Sequence, residues 1–450
     1  MTDRVTPVQQ PTGQRPRLLA WYQRTPLYLR ILIALVLGMG FGWVLGERAI
    51  IFKPFSDIVL RLLGALATPL IFVAVVHALL RAKVSGRTGG RLAWFLLTNT
   101  VVAILIGLLV ANAVRPGRWV RLEIPQQQGP EAAAAKQPDK PFDPVEDLLG
   151  KIPGSLFKPL ADNDIMSVII IALAFGVALR VVRRQQEGSE RPGYRTVEDL
   201  LDTAFRCVMV LLHWIFHLVP LAVFGVVARL VGTQGLGGFV PLGGFIVAVL
   251  LALLLQAVYY LARLRLGSWV RPGRFLRGGS DALVTAFSTA SSAATLPVTY
   301  ACMMDKVGVR EESASLGVMV GGTFNHDGTA LYEAMAALFI SQVLGRPLDL
   351  GQQLLVVVMS VFASVGAAGI PEAGLVTMLA VFTAVRLPAE YIPLLLTVDW
   401  FLDRCRTAIN VMGDMCVTCL LDGRKRADTV VVPVPSQPQV VAVGVGEGSE

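Results

Sequence analysis

Asp399, Asp403, Arg404, Arg406 and Asp414 all fall within one otherwise apolar run, residues 391–421. The run is long enough for a membrane helix, since about 20 residues at 1.5 Å each cross a ~30 Å hydrocarbon core. Each charge facing lipid at mid-bilayer costs roughly 2.5–3.5 kcal/mol on an insertion scale, so five such charges require another arrangement. Spacing supplies one. At about 100° per residue, with Asp399 at zero, Asp403 falls near 40°, Arg406 near 340°, Asn410 near 20°, Asp414 near 60° and Thr407 near 80°. Carboxylates, guanidinium, amide and hydroxyl share one stripe about 100° wide, and only Arg404, near 140°, lies outside it. Such a stripe must face protein or an aqueous cavity. Ionisable groups at that depth mark a substrate or ion pathway by default, with a structural ion-pair seam as the duller reading.

A second chemical centre is GGTFNHDGTALYEA, within the apolar run 313–342. Asn325, His326, Asp327 and Thr329 cluster around Gly328. Contiguous oxygen-bearing groups with a glycine predict an unwound helix whose carbonyls and carboxylate hold a small hard cation. The alternative is a kink satisfied by water. Glu333, six residues beyond Asp327, is a candidate proton carrier or ion partner.

The elements that position these groups are membrane spans. The 450 residues are 54% hydrophobic and only 16% charged, where soluble domains average about 25% charged. The net charge of +8 sits in short loops and does not signal nucleic-acid binding. Cys207, Cys302, Cys405, Cys416 and Cys419 all lie in apolar stretches. The CxxC spacing of the last two has no accompanying His or second pair, which argues against a metal or redox site. No early apolar core follows the polar N-terminus, so no cleavable signal peptide is expected.

Spans are expected at 28–46, 56–80, 93–114, 164–182, 202–231 and 239–263. Every second loop is basic, which puts the N-terminus (1–25), the C-terminal tail (423–450) and those loops in the cytoplasm. The polar segment 118–163, with an amphipathic piece at 144–161, is then external. Residues 281–303 and 353–385 each read as two short apolar arms around a Ser- or Gly-rich, Pro-containing centre. In the first, arms of about 8 residues reach only ~12 Å, so it is expected to enter the membrane and return; the second repeats the design, the first starting inside and the second outside. Each precedes a polar-cored span. That is an inverted repeat in outline, and interrupted segments in corresponding places point to a transporter site.

Four motifs carry a family resemblance: AFSTASSAATLP (286–297), NHDGTALYE (325–333), AAGIPEAGLVTM (367–378) and DWFLDRCRTAINVMGD (399–414). Their order, with VPLAVFGVVA at 219–228, resembles the dicarboxylate/amino acid:cation symporters, the glutamate transporter family, over about residues 25–422. The resemblance implies an all-α polytopic membrane protein with eight transmembrane helices and two re-entrant helical hairpins, assembled as a homotrimer. Residues 26–270 would hold the scaffold helices one, two, four and five. Helices three and six would join 271–422 (hairpin one, helix seven, hairpin two, helix eight) in a mobile transport domain, with hairpin two as the extracellular gate.

It also implies roles. Arg406 would bind the substrate's side-chain carboxylate and Asp403 its α-ammonium. Thr329, Thr407 and Asn410 would add polar contacts. Ser291, Ser292 and the stretch from Gly366 to Gly369 would hold the α-carboxylate. Asn325, Asp327, Asp414 and Thr98, Asn99 and Thr100 would bind sodium, with Ser364 and Ala367 at the gate's cation site. The Asp403/Arg406 pair implies L-aspartate or L-glutamate as substrate. C4-dicarboxylate carriers usually lack the aspartate, and neutral amino-acid carriers lack the arginine. The alternatives are a C4-dicarboxylate or neutral amino-acid transporter of the same fold, or a substrate-gated anion channel, because carriers of this family also leak chloride. Departures from the family pattern are His326 for Met, Leu96 for Tyr, and Glu372 for Gly or Gln. Glu333 resembles the animal excitatory transporters, where it carries a proton or favours potassium counter-transport. His326 either puts a proton in place of a sodium ion or only packs and donates one hydrogen bond. No enzyme activity is expected: GxGD and GxSxG patterns are absent.

Overall fold

The structure is a computed structural model that describes residues 25–81, 86–119, 153–162, 164–186, 193–366 and 373–425. Among these residues it contains helices and no strands. The first helices are α1 (Leu27–Leu45), α2 (Lys53–Arg81) and α3 (Gly86–Val114). After them come α4 (Ile165–Gln186), α5 (Tyr194–Phe216), α6 (Val219–Gln234) and α7 (Val240–Gly267). Among the described residues, four stretches are long and apolar enough to cross a membrane: Leu29–His77, Thr88–Arg118, Tyr194–Thr233 and Val240–Gly267. Their outward faces carry large apolar residues such as Trp43, Ile51, Leu109 and Leu254, the surface a hydrocarbon solvent calls for. The expected span 202–231 is two helices. Pro220 occupies the first turn of α6, and a residue without an N–H starts a helix more readily than it continues one. Only 153–161 of the expected amphipathic piece is described, and its helical part is the single turn Lys158–Ala161.

The second half builds two helical hairpins. The first is α8 (Pro272–Thr289) and α9 (Ser292–Ala301), extended by a π-helical turn, Cys302–Val307. Between them Ala290 takes a left-handed φ of 51° and the Ser291 side chain caps α9. The arms lie antiparallel: Lys306 Nζ pairs with Asp281 Oδ2 at 2.5 Å, and Gly278 packs against Val307. The expected short arm is therefore corrected, because 18 residues reach about 27 Å. Arg271, Arg274 and Arg277 have the composition of a loop, yet Pro272 starts a helix that carries the last two. The second hairpin is α12 (Leu350–Gly366) and α13 (Ala373–Ala384). Its tip, with Ala367, Gly369 and Glu372, lies outside the described residues.

Before the second hairpin runs a broken helix. Its first part, α10, comprises Glu311–Ala314, a π-helical stretch Ser315–Val320, and Gly321–Phe324. The second part is α11 (Asp327–Val343). The last helix, α14 (Ile392–Asp422), is continuous over 31 residues. Asp422 ties its end to the rest, accepting from Trp269 Nε1 at 2.6 Å and from Arg310 Nε at 2.9 Å.

Two packing groups result. One gathers α1, α2, α4, α5 and α6, and the other gathers α3, α7, both hairpins, α10, α11 and α14. In the first group Gly42 lies so close to α6 that an added Cβ would sit 2.4 Å from the Ala228 carbonyl oxygen. Small residues allow this approach between membrane helices.

Candidate functional site

The polar stripe of α14 faces inward as a unit. Asp399, Asp403, Arg406, Thr407, Asn410 and Asp414 are all buried, while Arg404 is half-buried on another face. Arg406 is the centre. Its Nη2 donates to Asp403 Oδ1 at 2.7 Å, and its Nη1 lies 2.9 Å from Asp399 Oδ1 in an ion pair. The guanidinium stacks 4.0 Å from the centroid of the Tyr332 ring on α11, a cation–π contact worth ~2 kcal/mol or more when desolvated. Two carboxylates thus face one guanidinium in a buried cluster. Arg406 Nε has no hydrogen-bond partner there. Buried donors left unmade are costly, so the cluster suits an incoming acceptor.

The break in the α10–α11 helix brings the second centre to the first. Asn325 (φ −101°, ψ 89°) and His326 (φ −115°, ψ 51°) leave helical geometry, as the sequence predicts. Gly328 does not share in the unwinding. It lies in the first turn of α11, where an added Cβ would meet the Arg406 carbonyl oxygen at 2.7 Å. Its N–H donates to Asn410 Oδ1 at 2.8 Å, and Asn410 Nδ2 reaches Thr329 Oγ1 at 3.3 Å. Gly328 is thus required by the α11–α14 approach. Gly328→Ala should destabilise the protein by about 1–3 kcal/mol through overpacking, seen as a lower melting temperature in detergent.

Around the break, Asn325 Nδ2 donates to Asp414 Oδ1 at 3.1 Å, while Asn325 Oδ1 is buried without a partner. Asp327 accepts from Thr100 Oγ1 at 2.7 Å and from the Tyr260 hydroxyl at 2.5 Å. Asn99 is buried one residue before Thr100, and its Oδ1 accepts from Arg263. Thr98 stands apart, half-buried and bonded to the carbonyl of Trp94 in its own helix. His326 Nδ1 donates to the Ser364 carbonyl at 2.9 Å, which leaves Nε2, buried and unpartnered, as the bare lone pair. Glu333 accepts from Thr377 Oγ1 of α13, and its second oxygen has no partner.

The hairpins close on these groups from two sides. Gly374 at the start of α13 lies against Arg406 and Thr329. From the other side, Arg404 Nη1 donates to the carbonyls of Phe287 (3.0 Å) and Ser288 (2.5 Å) near the tip of the first hairpin. Ser291 caps Ala294 at 3.2 Å and Ser292 is buried behind it. Thr407 spends its hydroxyl proton on the Asp403 carbonyl.

Residues 27–424 match the Sodium:dicarboxylate symporter family. The chain belongs to this family. It is 32% identical to excitatory amino acid transporter 1 of Ambystoma tigrinum, over 87% of this chain and 82% of that protein. To excitatory amino acid transporter 4 of Mus musculus it is 30% identical, over 90% and 84% of the two chains. It is equally similar to bacterial relatives: C4-dicarboxylate transport protein 1 of Pseudomonas paraeruginosa (strain DSM 24068 / PA7) is 30% identical over 94% of this chain and 97% of that one. This symporter is therefore a membrane transporter with the glutamate-transporter fold, and not an enzyme.

The fold joins Asp403, Arg406, Thr407, Asn410 and Thr329 at one end of the site and Asn325, Asp327, Asp414 and Thr100 at the other. Sequence reasoning missed the partners: Tyr332, Tyr260, Thr377, Arg263 and the hairpin contact of Arg404. One signal was present for Tyr260. Gln256 precedes it by four residues and is the first polar side chain of a long apolar run in that helix, and such a polar pair shares a face.

Proposed function

We propose that this symporter imports L-aspartate or L-glutamate together with sodium. The observation that carries the reading is the Asp403–Arg406 pair. A substrate carboxylate that takes the Arg406 fork competes with Asp403 for it, and a buried carboxylate that loses its counter-charge needs a new one. An α-ammonium supplies it, and a C4-dicarboxylate has none. Asn325 and Asp414, beside the Asn410 carbonyl, present oxygens suited to a small hard cation.

The group of α3, α7, α10, α11, α14 and the hairpins moves as the transport domain across the α1, α2, α4, α5 and α6 scaffold. The second hairpin, with Gly366 and Gly369, closes over the α-carboxylate as the external gate, and the first hairpin holds it through Ser291 and Ser292. The protein forms a homotrimer with both termini in the cytoplasm. Titration calorimetry of the purified protein in sodium tests the substrate class. L-aspartate or L-glutamate should bind at least ~100-fold tighter than succinate or L-alanine, as expected for a desolvated charge pair. Tighter succinate binding would make the protein a C4-dicarboxylate carrier.

Glu333 links the site to the gate through Thr377, and it carries the coupled proton. Its binding of a proton from outside makes uptake slow as external pH rises. Glu333→Gln should make uptake independent of external pH, measured as initial rates in proteoliposomes at fixed internal pH. A pH profile unchanged in that variant would transfer the role to His326, whose Nε2 lone pair is the other buried candidate.

A further inference from the structure

The α3 side of Asp327 already holds a positive charge. Arg263 lies on α7, one turn beyond Tyr260, and its half-buried side chain turns toward α3. Its Nη1 donates to Asn99 Oδ1 and to the Phe95 carbonyl at 3.3 Å. The guanidinium packs over the rings of Phe95 (5.3 Å) and Tyr259 (5.9 Å). Contacts to an oxygen, a carbonyl and two ring faces hold it in place. Asn99 is held a second time by α7, its backbone carbonyl accepting from Gln256 Nε2 at 3.4 Å.

The oxygens that would bind a cation here each already carry a donor. Asn99 Oδ1 takes Arg263, and each Asp327 oxygen takes a hydroxyl proton, from Thr100 and from Tyr260. Leu96, one turn before Thr100 on α3, offers only hydrocarbon. A small hard cation needs several oxygens free to turn their lone pairs on it. A second unit cation within ~6 Å of a guanidinium is also disfavoured about a hundredfold at an effective dielectric of about 20.

We propose that Arg263 is a built-in cation that replaces a sodium ion beside Asn99, Thr100 and Asp327, so that this symporter couples to one sodium fewer than those residues would otherwise bind. The inference rests on the sodium-coupled reading above. Sodium is carried at Asn325 and Asp414, while the α3 side keeps a fixed charge that travels with the transport domain and is never released. A guanidinium suits this role because it stays protonated and its planar fork holds one orientation.

The slope of log Kd for L-aspartate against log sodium concentration reads the number of coupled ions. Arg263→Gln, which keeps donors but removes the charge, should steepen that slope by about one. Asn99→Ala, whatever it does to affinity, should keep the wild-type slope. An unchanged slope in Arg263→Gln, or a slope lower by one in Asn99→Ala, would overturn the proposal. The second variant decides the matter if the first does not fold. Sodium alone, without amino acid, gives an independent readout, because a ligand that binds only the folded state raises the melting temperature. Arg263→Gln should gain sodium stabilisation relative to wild type, and Arg263→Lys should not. Failure of the aspartate reading would leave the sodium melting result intact, whereas equal sodium stabilisation in all three proteins would sink the built-in cation.

Discussion

Arg406→Ala should abolish binding of acidic amino acids, with affinity falling by at least ~1000-fold. Two losses combine. The substrate carboxylate loses its fork of donors. Asp399 and Asp403, buried on one helix face with Arg406 between them, are left without a counter-charge. Removing one partner of a buried pair costs about 3–5 kcal/mol, so the variant should also melt at a lower temperature. Arg406→Lys separates the two effects. It keeps a charge near both carboxylates but loses the fork and the stacking on Tyr332, so folding should recover while affinity stays ~10–100-fold down. Calorimetry with L-aspartate and a melting curve on the same samples check both. Wild-type affinity in Arg406→Ala would remove the guanidinium from the binding site altogether.

Asp403→Asn should change which substrates are taken. The amide keeps the shape and one acceptor but not the charge that faces the ammonium. Truncating one side of a desolvated charge pair costs about 2–5 kcal/mol, so L-aspartate affinity should fall by ~100-fold. Succinate brings no ammonium and should lose little, because its carboxylates gain from the removal of a nearby like charge. The ratio of the two affinities is therefore the quantity to measure. A uniform loss for both substrates would mean that Asp403 only holds Arg406 in position.

The stripe on α14 was legible in the sequence because its members share one helix, and helical spacing alone places them on one face. The break at Asn325–His326 was legible for a similar reason, since a polar run inside an apolar span has few other solutions. Pairings between helices were not. That Tyr260 meets Asp327, or Thr377 meets Glu333, depends on the packing register of two helices 44 to 67 residues apart in the chain, and periodicity within either helix carries no such information. The first hairpin arm was misjudged because Arg274 and Arg277 have the composition of a loop, while Pro272 is a favoured helix start. Gly328 was assigned to unwinding when its lack of a side chain serves the contact with Arg406.

The most direct test is uptake of labelled L-aspartate into liposomes containing the purified protein, driven by an inward sodium gradient with excess succinate outside. The predicted result is accumulation above the external concentration, little affected by succinate and lost when the sodium gradient is collapsed. Accumulation of succinate in place of aspartate, or aspartate entry that only equilibrates and ignores the sodium gradient, would contradict the account.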